Sequence, residues 1–391
     1  MVVKTAAALS PAERRSVATL AVIYATRMFG LFLLLPVLAL HAGSLPGGTP
    51  LMAGLAVGAY GLAQALMQIP FGVWSDRLGR RPLIVAGLLL HVGGSALGYF
   101  AATAWALVIA RIVQGLGAVS GPVMALLADR TRAVSRTRAM AFIGISIGAS
   151  FVVSLVAGPL LAGAIGVSGI FALIGGLGLV ALAIVVFVVP AEAPRAIGQA
   201  RKPWREVLTR RLLPHYAGIF VLHLALTATF IAVPHALQDV HGIALAEHWQ
   251  FYLAVFAASL SLTVPMLLWS ERTKKPARTV LTGALLLAVT QGALALAYQD
   301  LLAMAVALVI FFGAFNFLEA RLPASLAEAA GENARGAALG VFSTCQFAGA
   351  FAGGILGGGL LGSAAAIPGV FLMAGLAAAG WLVVAGRSES P

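Results

Sequence analysis

Apolar runs of about twenty residues, separated by short charged stretches, fill this chain from end to end. They cover roughly 16–40, 51–74, 82–101, 104–127, 138–162, 168–190, 214–238, 248–270, 278–297, 300–323, 335–360 and 364–386. Each is near the ~20 residues that cross a hydrocarbon core of about 30 Å as a helix. A barrel strand needs only about 9–11 residues, so these runs are too long for strands. The pattern predicts an all-α integral membrane protein with twelve transmembrane helices. The first run also exceeds the ~7–15 residues of a signal-peptide core and is read as a retained span.

Charge then orients the chain. In a weaving chain, alternate connections share a side. One set carries Lys4, Arg14 and Arg15; Arg77, Arg80 and Arg81; Arg130, Arg132, Arg136 and Arg138; Arg195, Arg201, Lys202, Arg205, Arg210 and Arg211; Arg272, Lys274, Lys275 and Arg278; Arg335; and Arg387. The other set holds only Asp239, Glu247 and Asp300 as charges. The positive-inside rule makes both termini cytoplasmic and the number of spans even. The expected location is the cytoplasmic (inner) membrane.

Composition excludes a water-facing fold. The chain is 61% hydrophobic and 10% charged, against about 25% charged in soluble domains. A net charge of +12 would suggest nucleic acid if it formed a patch on a soluble fold. Here it is spread over short loops, so the expected partners are membrane lipid and a small molecule, with no nucleic acid. The single cysteine, Cys345, permits no intrachain disulfide.

The one sizeable polar connection, 191–213, divides the chain into six spans and six spans: a bundle over 1–190, a cytoplasmic linker, and a bundle over 214–391. The halves resemble one another. Ile69-Pro-Phe-Gly-Val-Trp-Ser-Asp-Arg77 aligns with Val264-Pro-Met-Leu-Leu-Trp-Ser-Glu-Arg272, and Ala125-Leu-Leu-Ala-Asp129 with Ala324-Ser-Leu-Ala-Glu328. A parallel repeat of this kind is a transporter architecture, with its substrate site between the halves near the midplane.

The loop after the second span reads Gly72-Val-Trp-Ser-Asp-Arg-Leu-Gly-Arg-Arg81. It resembles the signature of the major facilitator superfamily, G-x-L-x-D-R-x-G-R-K/R. Gly72, Asp76, Arg77, Gly79, Arg80 and Arg81 match, and Trp74 replaces the usual leucine. Pro11-Ala-Glu-Arg-Arg15, Arg27-Met-Phe-Gly-Leu-Phe32, Gln68-Ile-Pro-Phe-Gly72 and Met124-Ala-Leu-Leu-Ala-Asp129 look like the YajR-type branch of its drug:proton antiporters. Physically, Gly79 allows a turn between helices. Asp76 sits where a carboxylate meets a helix N-terminus, and the arginines are placed to pair with Asp76 and Asp129. The resemblance implies that this cluster is a cytoplasmic latch between the halves. It also implies that Arg111, in Arg111-Ile-Val-Gln-Gly-Leu-Gly117, takes part in proton coupling. Gly158 and Pro159, with Gly163, match part of an antiporter motif, but Ile145, Ser154 and Ala162 replace its other glycines.

A charge at the bilayer centre costs at least ~2.5–3.5 kcal/mol, so it is expected to face protein or water. Arg27, Arg111, Glu319 and Arg321 fall in spans one, four and ten, which by resemblance line a central cavity with span seven, the bearer of His223. Gln114 and Asn316 join Arg27 as polar cavity groups. Glu319 is the only acid placed inside a span. A proton carrier needs a group that loads and releases as solvent access alternates; a carboxylate or a histidine suits this. The structural alternative is a permanent ion pair. Arg27 and Glu319 sit at overlapping depths, about 18 Å and 14 Å above the basic boundary, so in the structural alternative the two could pair across the halves. Arg321, about 200° around the helix from Glu319, is expected to snorkel toward the cytoplasm.

No span offers paired acids, a metal-ligand set or an activated nucleophile, and no phosphate-binding loop exists, so neither an enzyme nor a cofactor is expected. The sequence reads as a monomeric secondary transporter, a proton-coupled exporter of a small amphipathic compound. The alternatives are an uptake symporter or uniporter for a neutral or anionic solute, and a non-transporting receptor.

Overall fold

A computed structural model describes residues 9–132, 134–190, 204–273, 276–331, 334–363 and 366–387. Lys4, Arg195, Arg201, Lys202, Lys274, Lys275 and most of the expected linker lie outside these residues. The helices are α1 (Pro11–Leu34), α2 (Leu38–Ser44), α3 (Pro50–Leu78), α4 (Arg80–Tyr99), α5 (Ala104–Leu116), α6 (Ser120–Asp129), α7 (Arg136–Phe187), α8 (Leu213–His235), α9 (His248–Arg272), α10 (Pro276–Ala297), α11 (Leu301–Ala330), α12 (Arg335–Leu361) and α13 (Ala366–Arg387). There is no strand among the described residues.

Eleven stretches of the described residues are long and apolar enough to cross a membrane, with α5 and α6 forming one crossing, Ala104–Asp129. Another, Arg138–Phe187, has 50 residues. Straight, it would run about 75 Å, more than two bilayer cores. It turns at Gly166, whose φ of 72° and ψ of 166° lie outside the helical region, where only glycine is unstrained. Two crossings therefore share α7, which makes twelve. The expected connection at 163–167 shrinks to this one residue. Short polar caps start other spans: Thr49 accepts from Met52 N at 3.1 Å, Thr103 from Ala106 N at 3.2 Å and Asp300 from Ala303 N at 2.9 Å.

The first half is α1–α7 and the second α8–α13. At the end of the molecule poor in charge, the halves meet along α3 and α12. A Cβ on Gly54 would lie 2.2 Å from the Gly354 carbonyl oxygen, and one on Gly354 would lie 2.7 Å from that of Gly54. Only glycine allows this approach, as at small-residue helix interfaces in membranes. Nearby, Phe151 of α7 packs edge-on against Phe256 of α9, ring centres 5.6 Å apart. Toward the charge-rich end, a Cβ on Gly72, Gly336 or Gly340 would meet nothing within 4 Å. The halves thus touch through backbone at the charge-poor end, and these three glycines have no such neighbour at the other.

Leucine at Gly354 cannot fit this seam, and overpacking costs about 1–3 kcal/mol. The expected outcome of Gly354→Leu is a folded protein whose α3 and α12 ends separate at the charge-poor side. Spin-label distances between positions near Pro50 and Gly362 would lengthen; an unchanged distribution would mean the seam holds nothing shut.

Candidate functional site

At the charge-rich end, Gly79 takes φ 96° between α3 and α4, and the tight turn places Arg80 beneath α3. Arg80 is buried. It pairs with Asp76, donates to Ser75 Oγ at 2.6 Å and reaches Asp129 of α6 at 3.5 Å. Arg81 also binds backbone. Its Nε donates to the Val185 carbonyl at 3.1 Å, and an Nη donates to that of Val186. Arg130 likewise donates to the Pro190 carbonyl at 3.0 Å, and Arg136 to that of Ala128 at 3.0 Å. These arginines satisfy carbonyls left over where helices end. Arg77 is exposed. Every partner named here for the cluster belongs to the first half. Gly158 is a packing site: a Cβ there would lie 2.6 Å from the Leu33 carbonyl oxygen, so α7 runs close against α1 through Gly158 and Pro159.

Inside the first half, Arg27 and Arg111 are both 2% exposed. Arg27 donates to Gln64 Oε1 at 2.6 Å, the Gly117 carbonyl at 3.0 Å and Ser120 Oγ at 3.2 Å. Gly117 lies in the break between α5 and α6, so Arg27 closes a carbonyl freed there. Arg111 donates to Gln114 Oε1 at 2.8 Å and the Ala56 carbonyl at 3.3 Å. Gln114 passes the chain on to Ser95 Oγ at 2.8 Å. Both guanidiniums stand over the Tyr60 ring, at 4.8 Å for Arg111 and 5.8 Å for Arg27. Neither forms an ion pair among the described residues. The Arg27–Glu319 pair of the structural alternative is therefore not formed: Arg27 turns toward α3, α6 and the break before α6 in its own half.

Glu319 has another partner. Gln346 Nε2 of α12 donates to Glu319 Oε1 at 3.2 Å and to His223 Nε2 of α8 at 2.8 Å. His223 Nδ1 lies 3.3 Å from the Ile219 carbonyl oxygen. This fits a neutral imidazole protonated at Nδ1. His223 and Glu319 themselves stand 3.8 Å apart, and the Glu319 side chain is 40% exposed, so a partly exposed carboxylate sits beside an imidazole. Asn316, one turn away on α11, is half-buried and keeps its amide nitrogen without a partner. Arg321 reaches Glu328 at 4.0 Å, toward the charge-rich end as expected.

Two residues carry more than the sequence reading gave them. Gln346 bridges the two titratable groups, and nothing in an apolar run marks one amide as special. Glu13 accepts from Arg132 N at 2.8 Å, Arg132 Nη2 at 2.9 Å, Ser135 Oγ at 2.7 Å and Ser10 N at 2.8 Å, fastening α1 to the α6–α7 connection. Ser10-x-x-Glu13 before an apolar run is a capping-box signal that could have located it. No group of three or more His, Cys, Asp or Glu that could hold a metal occurs among the described residues.

Comparison with known proteins agrees with this architecture. The chain is 38% identical over 388 residues to the inner membrane transport protein YajR of Escherichia coli (strain K12), covering 98% of this chain and 85% of that protein. It is 27% identical over 344 residues to the multidrug resistance protein MdtH of Cronobacter sakazakii (strain ATCC BAA-894), covering 85% of this chain and 83% of that one. The crystal structure of a bacterial homologue of the human lysosomal transporter Spinster, in an inward-facing and occupied conformation, superposes with a TM-score of 0.78 at 16% identity, over 97% of this chain and 98% of that one. The family model for the Major Facilitator Superfamily matches residues 20–318. With that match and the long alignment to an inner membrane transporter, the chain belongs to the Major Facilitator Superfamily, a family of multi-pass membrane transporters.

Proposed function

We propose that this chain is a proton-coupled exporter of a small amphipathic compound, working by alternating access between two six-helix bundles, 1–190 and 214–391, joined by the linker 191–213. The observation that carries the reading is Glu319: a carboxylate within a span, 40% exposed, bound to Gln346 and 3.8 Å from His223. It can take a proton from one side of the membrane and yield it to the other as access alternates. Arg111 and His223 are the further coupling candidates. Export is supported by the name of a relative, the multidrug resistance protein MdtH. An inner-membrane location is supported by YajR, and cytoplasmic termini by the one-sided arginines. The protein acts as a monomer on lipid. A second reading, uptake of an anionic solute, is favoured by one observation: the buried arginines Arg27 and Arg111 have no acid partner among the described residues.

Asp76, Arg80 and Asp129, with Gly72, Arg77, Gly79 and Arg81, form the latch on the cytoplasmic side. Arg80 orders the end of α3 and the end of α6 into one surface, which the second half meets when that side closes. Asp76→Asn removes one charge-assisted contact, about 1.5–3 kcal/mol. The expected outcome is intact insertion with the resting population moved toward the cytoplasm-open form. Spin-label distances across both mouths check it; no shift would reduce these residues to orientation signals.

Glu319→Gln keeps the shape and the bond to Gln346 but cannot ionise. Because no arginine pairs with Glu319, the variant is expected to fold with a melting temperature near that of the parent. Its pH-gradient-driven flux in proteoliposomes is expected to collapse, while substrate exchange at equal pH persists. A folded variant with normal gradient-driven flux would remove Glu319 from the mechanism.

A further inference from the structure

Resting on the reading of the chain as a carrier, the class of its cargo can be drawn from the charges of the first half. Arg27 and Arg111 are buried in the membrane region beside one aromatic ring, Tyr60. Their named partners are neutral: a serine, two glutamines and two carbonyls. Neutral acceptors satisfy guanidinium hydrogens but do not cancel two positive charges in a low-dielectric surrounding. A structural arginine would be expected to have a carboxylate, and the chain has one available, Glu319, which is committed to Gln346 and His223 in the other half. The unfilled capacity at this point is that of donors. Arg27 Nε and the Tyr60 hydroxyl are buried without a hydrogen-bond partner, and each can give a hydrogen to an anionic oxygen. The place is also suitable. Tyr60 stands against Phe347 of α12, ring centres 6.4 Å apart, at the inner end of the seam where the two halves meet.

We propose that the transported compound is an organic anion, a carboxylate, sulfonate or phosphate on an apolar body, whose charge is answered by Arg27 and Arg111 beside Tyr60. The apolar body lies against Tyr60 and Phe347, between the halves. Glu319 on the opposite wall holds the proton and leaves the cargo's charge to the arginines. A cationic cargo would meet two fixed like charges at this wall.

The test is thermal unfolding of the purified full chain with a panel of aromatic and aliphatic amphiphiles, each ring or chain presented as carboxylate, sulfonate, neutral amide and trimethylammonium. Anionic members are expected to raise the melting temperature, their amides and trimethylammonium counterparts not. Arg111→Gln is expected to weaken anion binding at least about tenfold, the scale of one charge-assisted contact, and to melt no lower than the parent without ligand, because it removes an uncompensated charge. Arg27→Lys keeps the charge but removes Nε, and it is expected to weaken anion binding less than Arg27→Gln does; this separates the charge from the hydrogen bonds of the guanidinium. Stabilisation by no anion, by cations or zwitterions in preference to anions, or undiminished in Arg111→Gln, would overturn the inference. Flux separates it from the carrier reading. Anions that bind but do not cross proteoliposomes leave this site standing and remove transport. Cations driven by a pH gradient do the reverse.

Discussion

A charge inside hydrocarbon has only the protein to answer it, and that requirement orders this molecule. At the charge-rich end the arginines are not merely strewn on loops. Arg81, Arg130 and Arg136 finish the carbonyls at helix ends, and Glu13 collects Ser10, Arg132 and Ser135. The residues that orient the chain also tie the helices of the first half into one body. Deeper in, Arg27 closes the carbonyl at the α5–α6 break, so an irregular backbone is tolerated at membrane depth because a buried donor supplies what water cannot.

The seam between the halves follows the opposite logic. Where α3 meets α12 the contact is backbone against backbone through glycine, with no charge and no side-chain hydrogen bond named across it. Each helix keeps its own backbone bonds when such a seam parts, so opening uncovers no unsatisfied group. Dispersion contacts are individually worth only about 0.1–0.2 kcal/mol and can be exchanged for lipid or water contacts. A carrier that alternates needs stiff halves and a junction of this sort. Among the described residues, the hydrogen bonds and ion pairs named here lie within one half or the other, and the seam is packing.

Much of this was legible in the sequence, for physical reasons that differ by residue. Span number and position follow from length against bilayer thickness, which leaves little freedom; even the merged helix α7 divides where Gly166 permits it. The cluster around Asp76 was legible because its partners are close in sequence or at equivalent ends of spans. The Arg27–Glu319 pair of the structural alternative does not form because depth is only one of two coordinates. Two residues at one depth still need facing azimuths, and a helix with weak amphipathicity such as α1 does not declare its azimuth. Gln346 was invisible for a related reason. A neutral amide carries no charge penalty that would flag it, so its role exists only in the relation of α12 to α8 and α11.

The repeat makes the halves alike in path and unlike in chemistry. The first half carries fixed charge, Arg27 and Arg111, which stays at any physiological pH. The second carries titratable groups, Glu319 and His223. With Glu319 ionised and His223 neutral, these side chains sum to +1; with Glu319 protonated, to +2. Cargo charge and proton therefore reside on separate walls and do not compete for one site. An anion is expected to bind more tightly when Glu319 carries a proton, which anion binding to the detergent-solubilised protein in acid and in neutral buffer would measure. In a carrier with one shared acidic site for proton and cationic cargo, acid weakens binding. If affinity rises with acid, exchange in one direction cannot come from displacement. It has to come from the conformational cycle, from which loaded forms are able to part the glycine seam. If affinity falls instead, Glu319 and the cargo share space, and the two walls act as one site.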